Sequence, residues 1–320
     1  MNLSSHSLRS RSPVLLALLL AIGLAPSRSA ACACGCGIYE VGTANMIPTA
    51  SGVMTFFDYD YQDQNQNWSG DSRAPAADND DKNIRTSWYN YGFQDMFNRA
   101  WGVRLEVPYE DRHFVTTGGP SGDDIATVNF SGFGDVRLEG IYTGFSPDLS
   151  SGLLFGLKLP TGSYTINDPY GDVDRDTEIG SGSTDLLLGG YSRFNFDTDY
   201  GWSGFTQALL DLPVLTQVRY RPGAEFDASI GAYYNGLRIG RMLVSPIVQL
   251  KASVRGEDTG ANASNPVASG FERLLVAPGV ELDMHPMRVY CDVELPLYEH
   301  FTGNQLAASV LFRLNMAYMF

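Results

Sequence analysis

Three thiols fall within five residues near the start of the chain, Cys32-Ala33-Cys34-Gly35-Cys36. Closely spaced thiolates are a soft ligand set that suits Cu(I) or Zn(II), and in an oxidising compartment they close into a disulfide instead. Cys32 is also a candidate for lipid attachment, although Ser29-Ala30-Ala31 before it lacks the bulky apolar residue that such processing prefers. The Cys-x-x-Cys-His pattern of haem attachment is absent. A structural or redox disulfide is the plainer reading of Cys32, Cys34 and Cys36; a metal site is the sharper one. Cys291 lies far from them, on a strand face that would look at lipid, and is expected to pair with nothing.

Two acidic clusters offer hard oxygen ligands: Asp172, Asp174, Asp176 and Glu178 alternate in one, and Asp78, Asp80 and Asp81 crowd the other. Such spacing can hold Ca²⁺, but the central Gly and terminal Glu of an EF-hand are missing, and a solvated charged loop is the plainer reading. Hydrolytic chemistry would need a His oriented by an Asn or an acid beside a Ser nucleophile or an activated water. Beyond the leader, the histidines are His113, His285 and His300, and none has a Ser two residues away. An acid-assisted site at His113 or His300, with Glu110, Asp111 or Glu299, is the hydrolase alternative; the main expectation is a protein that is not an enzyme.

A third set of charges has a different character. Asp58, Asp60, Arg104, Glu106, Asp135, Arg137, Lys158, Asp292, Glu294 and Arg313 each share one face of an alternating segment, as do Glu139, Asp227, Lys251, Arg255, Glu281, Asp283 and Arg288. Side chains on a strand alternate with period two, so these groups would converge if the strands formed a closed ring. Opposite charges on neighbouring strands can pair. They would then form either a salt-bridged plug or the lining of a narrow aqueous path with an acidic excess. Trp88, Tyr233 and Tyr290 share the inward face and would suit small, partly apolar solutes.

The elements that must position these groups are legible at both ends of the chain. Val310, Phe312, Leu314, Met316, Tyr318 and Phe320 fall on one face of a final strand, opposite Ser309, Arg313, Asn315 and Ala317. That is the closing strand of a transmembrane barrel, and it resembles the C-terminal assembly signal of bacterial outer-membrane barrels. At the other end, Arg9 and Arg11 precede the apolar run from Val14 to Ile22, and small residues at Ser29 and Ala31 permit cleavage before Cys32. This reads as a secretory signal peptide, because the run is shorter than the roughly 20 residues of a membrane-spanning helix. The expected organisation is a signal peptide over 1–31, a Cys-containing periplasmic segment over 32–52 and an outer-membrane barrel over 53–320 in a Gram-negative bacterium.

Between the ends, alternating segments run from Thr55 to Tyr61, Ser87 to Phe93, Trp101 to Tyr109, Asp135 to Tyr142, Leu153 to Leu159 and Asp185 to Arg193. They continue from Trp202 to Leu210, Phe226 to Tyr234, Val244 to Val254, Leu274 to Leu282, Val289 to Leu297 and Leu306 to Phe320. The expectation is an all-β, antiparallel up-and-down barrel of about twelve strands, with long outer loops and short periplasmic turns in alternation. Composition agrees: 34 Gly, 17 Tyr and 17 Phe accompany 18% charged residues, and a mean hydropathy of −0.12 is what results when lipid-facing and lumen-facing residues cancel. Removing the leader, with its three Arg, takes the net charge from −14 to −14 − 3 = −17, which argues against nucleic acid as a partner.

Three blocks occur in order: Gly132-Phe133-Gly134-Asp135-Val136, Gly156-Leu157-Lys158-Leu159-Pro160-Thr161-Gly162 and Gly182-Ser183-Thr184-Asp185. They resemble the outer-membrane barrels grouped as the "meta-pathway of phenol degradation" family, most closely at Lys-Leu-Pro-Thr-Gly. The resemblance implies an outer-membrane transporter, and the family's name implies aromatic solutes. The expected function is passive uptake of small solutes through the lumen, with the ten inward charges as selectivity candidates and no cofactor. Expected partners are outer-membrane lipid, lipopolysaccharide, the barrel assembly machinery and the solutes themselves. The rival is a non-conducting barrel whose cysteines serve a periplasmic metal or redox partner.

Overall fold

The computed structural model describes Pro48 and residues 51–320 apart from 121, 123, 198–200, 235–236 and 264. The expected signal peptide and Cys32, Cys34 and Cys36 lie outside the described residues. The described residues form sixteen strands: β1 (Gly52–Gly70), β2 (Ser72–Arg73), β3 (Asp81–Met96), β4 (Trp101–Gly118), β5 (Asp124–Phe133) and β6 (Val136–Tyr142) come first. Then follow β7 (Ser151–Leu159), β8 (Asn167–Asp168), β9 (Gly171–Asp172), β10 (Ser183–Asp197), β11 (Trp202–Thr216) and β12 (Glu225–Tyr234). Last are β13 (Leu237–Ile239), β14 (Met242–Arg255), β15 (Phe271–Met284) and β16 (Met287–Met319).

The pairing order β12-β11-β10-β7-β6-β4-β3-β1-β16-β15-β14 returns on itself through a β12–β14 pairing, so the sheet is a closed antiparallel ring. β5 and β6 form one stave, because both pair with β4, Phe133 against Tyr109 and Arg137 against Glu106. Four residues thus oppose three at Gly134-Asp135, a bulge that re-aims the chain. β16 supplies two staves. Its 33 residues would span about 110 Å as one strand, several times a bilayer's roughly 30 Å core. It folds back at Thr302-Gly303, where Gly303 has φ 71°, a conformation that glycine adopts without strain. Met319 N donates to Pro286 O at 3.0 Å, laying the end of β16 beside its beginning. Eleven elements therefore make twelve staves, and the expected architecture is observed.

Alternation decides what faces where. Tyr91, Phe93, Trp101, Leu105, Leu138 and Phe155 are exposed on the outer wall while Asp58, Trp88, Arg104, Glu106 and Tyr290 are buried inside. An outer band of this kind suits hydrocarbon, in which a closed ring leaves no strand edge unpaired. Aromatic girdles bound it. Near the short turns, Trp101 packs on Tyr142 at 4.7 Å and Tyr318 on Phe320 at 4.9 Å. Higher up, Tyr59, Tyr89, Tyr109 and Phe133 form a ladder across four strands with centroids 5.3, 6.3 and 5.4 Å apart. Eight residues of β4 separate Trp101 from Tyr109, roughly 27 Å along a strand and about 20 Å along the axis at the usual tilt, close to an apolar band of about 25 Å. Among the described residues no helix is long and apolar enough to cross a membrane.

The strands run further than the sequence pattern indicated. β1 reaches Gly70 and β4 reaches Gly118, where Tyr61 and Tyr109 had been the expected ends, and β2, β5, β8, β9 and β13 were not foreseen. Above the lipid band the outer face no longer has to be apolar, so ladder hydrogen bonding continues without the alternation that reveals it.

Candidate channel lumen

A cavity of about 230 Å³ lies between the walls of β1, β3, β4, β6, β7 and β10–β12. Its lining includes twelve carboxylates against seven Lys and Arg, an acidic excess of five. Eight of the ten candidates read from sequence line it: Asp58, Asp60, Arg104, Glu106, Asp135, Arg137, Lys158 and Arg313. Arg313 Nε meets Asp60 Oδ1 at 2.5 Å, and Asn315 donates to Asp58 at 2.7 Å. Arg104 bridges Glu106 at 3.9 Å and Glu139 at 3.5 Å while its guanidinium also donates to Gln94 at 2.9 Å. Lys158 Nζ stands 2.5 Å from Asp185 and 2.7 Å from Asp211.

Asp292 and Glu294 do not join them. Lys251 Nζ holds Glu294 at 2.5 Å and Asp292 at 3.3 Å, and Asp292 also accepts from Tyr290 Oη at 2.6 Å and from Gln249 at 3.1 Å. All of them are buried on the β14–β16 side of the ring. The intervening β15 presents small residues: a Cβ at Gly279 would stand 2.9 Å from both Tyr290 Oη and Asp292 Cβ. Buried charges are tolerated when paired and hydrogen-bonded; Lys251, Tyr290 and Gln249 supply that pairing, although Asp292 Oδ1 and Glu294 Oε2 have no donor.

The loop end is closed from above. Segment 160–182 folds inward, with Val173 buried against Ile84, Phe114 and Leu306. Asp135 anchors it, accepting from Gly162 N at 2.9 Å, Ser181 N at 2.8 Å and Ser181 Oγ at 2.6 Å. Arg112 reaches the carbonyls of Thr177 and Glu178 and pairs with Glu110 at 2.6 Å. Arg175 lies between the rings of Tyr164 and Tyr220, 4.7 and 4.5 Å from their centroids. Tyr220 donates to Asp258 at 2.7 Å, and burial pushes its phenol well above the usual range, with Asp258 adding to the shift. Glu178 accepts from Ile166 N at 2.8 and 3.1 Å. Burial pushes its carboxyl up to about 7 against the opposing pull of that N–H, Arg175 and Arg112.

The acidic loop is therefore not simply solvated: Glu178 is buried and Asp176 lines the cavity. Among the described residues no group of three or more His, Cys, Asp or Glu is arranged to hold a metal ion, and the cysteine cluster lies outside them. Cys291 is a free thiol exposed on the outer wall. His113 Nδ1 lies 2.6 Å from Asn129 and His300 Nδ1 2.5 Å from Asp71, both exposed; no serine hydroxyl contacts either ring in the hydrogen bonds described.

Sequence reasoning did not place Glu110, Arg112, Asp211, Arg175 or Tyr220 in the lumen. Glu110 and Arg112 continue the even-numbered inward register of β4 past Glu106 and Asp211 continues the odd register of β11, so carrying those strands three residues further would have found them. Arg175 and Tyr220 had no periodic signal; Ile166, Val173 and Ile179, spaced through a polar loop, were the available hint that it packs inward. At the short-turn end the inner wall turns apolar. Tyr191, Phe205, Ile247 and Tyr290 cluster there, and Arg193 reaches the carbonyl of Pro48 at 3.3 Å.

Set against known proteins, the chain matches no protein-family model and no curated protein sequence. Its fold is similar to that of an outer membrane channel from Pseudomonas putida F1, with a TM-score of 0.65 at 11% identity over 88% of this chain and all of that one. It is also similar to the β domain of the Bordetella autotransporter BrkA, with a TM-score of 0.51 at 12% identity over 84% of this chain and all of that one. The chain has the fold of an outer-membrane β-barrel.

Proposed function

We propose that this protein is an outer-membrane channel for passive movement of small solutes, with the charged cavity between the β1–β7 and β10–β12 walls as its path. The observation that carries the reading is that cavity: an enclosed space lined by both charge signs, with Trp88, Tyr191 and Tyr220 among its walls, inside a closed ring. The shared fold with an outer membrane channel supports the class, and the three sequence blocks support kinship with the phenol-degradation family and a solute with an aromatic or otherwise apolar part. Asp58, Asp60, Arg104, Glu106, Arg137, Lys158 and Arg313 act as the selectivity groups. Asp135 acts indirectly by anchoring the inward loop, and Asp292 and Glu294 belong to the scaffold. Phe312, Leu314, Met316, Tyr318 and Phe320, ranged along the outer face of the last stave, serve as the signal read by the assembly machinery, and the loops face lipopolysaccharide. The test is single-channel recording of refolded protein in a planar bilayer. Discrete conductance steps are expected. A folded barrel that never conducts overturns the reading and favours the cysteine-bearing segment as the functional part.

A further inference from the structure

The β10–β12 wall of the cavity carries four carboxylates for which the ring supplies too few cations. Asp211 on β11 sits directly opposite Glu225 on β12, and Asp227 lies two residues further along the same inward face, opposite Leu209. Asp185 on β10 completes the arc, two residues along the same face from Leu187, the partner of Asp211. Like charges directly opposed across two strands repel. Lys158 serves Asp185 and Asp211 together. Arg255, the register partner of Glu225, is turned to Asp258 at 2.7 Å. Glu225 accepts from a neutral donor, Ser253 Oγ at 3.1 Å, and Arg255 and Arg137 are the further cations that act on this end of the wall.

Asp227 adds the decisive observation. It is 4% exposed, lines the cavity, and its Oδ1 has no hydrogen-bond partner. A buried carboxylate oxygen without a donor is costly to keep unless something from the cavity supplies one. The four groups are spread over three strands rather than gathered into a chelating cluster, which disfavours a bare divalent ion, whose small shell demands close oxygens. Beside them the same wall is apolar: Leu209 and Tyr191 line the cavity, and Leu209 packs on Leu187.

We infer that Asp185, Asp211, Glu225 and Asp227 form a station for a small organic cation, a protonated amine whose N–H groups meet Asp227 and Glu225 while its apolar body lies along Leu209 and Tyr191. This deepens the channel reading and names its solute class as cationic, where a purely aromatic or anionic solute would leave the arc unmet. The station donates no bond and performs no chemistry; it concentrates the cation and lowers the barrier to its passage.

Two measurements keep the inference separate from the channel reading. The first is calorimetric titration of the refolded full barrel with benzylammonium, benzyl alcohol and benzoate, which needs no conductance. The second is block of single-channel current by the same three probes, with reversal potential in a KCl gradient. Benzylammonium is expected to bind and block, the neutral and anionic analogues at least tenfold more weakly, and the reversal potential is expected to favour K⁺ over Cl⁻. Asp227→Asn, which keeps the shape, should weaken benzylammonium about tenfold, and Glu225→Gln should do so less. Heat-modifiable gel migration confirms that each variant is folded. Equal binding of the three probes, unchanged binding in Asp227→Asn, or a wild-type site that takes Mg²⁺ and ignores benzylammonium would each overturn the station. A protein that binds benzylammonium but never conducts sinks the channel reading alone.

Discussion

The two charged walls of the lumen use the same residue types to opposite effect. On the β14–β16 side one lysine, Lys251, holds Asp292 and Glu294 with its side chain 0% exposed, and Tyr290 and Gln249 also donate to Asp292 Oδ2. On the β7–β12 side one lysine, Lys158, also holds two carboxylates, but it is 15% exposed beside the open cavity, and two further carboxylates stand close by. The first wall is dry and nearly self-sufficient; the second is wet and short of cations. What separates them is whether the cavity borders the charges, so that water or a solute can reach them, since each wall holds carboxylate oxygens without a donor. A charge facing inward in a barrel is thus scaffold or selectivity group according to its neighbours.

Substitutions at the two lysines break the comparison most directly. Lys251→Met leaves two dry carboxylates without their cation and should cost about 3–5 kcal/mol, read by urea unfolding in detergent. Adding Asp292→Asn and Glu294→Gln to it should restore much of the loss; if it does not, the cluster is not an isolated unit. Lys158→Met should cost less, about 1–2 kcal/mol, because the cavity lets water solvate what is left, and should raise K⁺ over Cl⁻ selectivity. Equal costs at the two lysines would erase the distinction between the walls.

The loop end sharpens it further. Arg175→Ala removes the cation held between Tyr164 and Tyr220, with each contact worth roughly 0.5–2 kcal/mol, and should raise conductance or open time with little change in the unfolding midpoint. The smallest effect concerns Glu178. Its carboxyl, raised by burial to about 7 from 4.5, costs stability only while ionised. The penalty is absent below about 4.5, grows as pH rises toward about 7 and is complete above it. Protection factors of segment 160–182, corrected for the intrinsic pH dependence of amide exchange, should therefore be higher at pH 5.5 than at pH 8, and Glu178→Gln should flatten that difference.

Much of this was readable along the chain. Period-two alternation located all twelve staves, the facing of Asp58, Arg104, Glu106, Lys251 and Arg313, and the outward Cys291, because a lipid-facing side chain has no polar option and its neighbours inherit the opposite face. Where lipid ended, the reading weakened: the upper halves of β1, β3 and β4 were cut short, and segment 160–182 passed for a solvated loop although Val173 and Glu178 are buried.

By itself, then, the sequence determined the ring, its strand number and which residues look inward. These follow from local periodicity and the demand that every strand in hydrocarbon be paired. Tertiary structure alone decided which inward charges meet. Lys251 reaches Asp292 across a strand, and Asp227 Oδ1 is left beside the cavity without a donor. Such partnerships depend on stagger, side-chain length and loops arriving from distant parts of the chain. No period in the sequence records them.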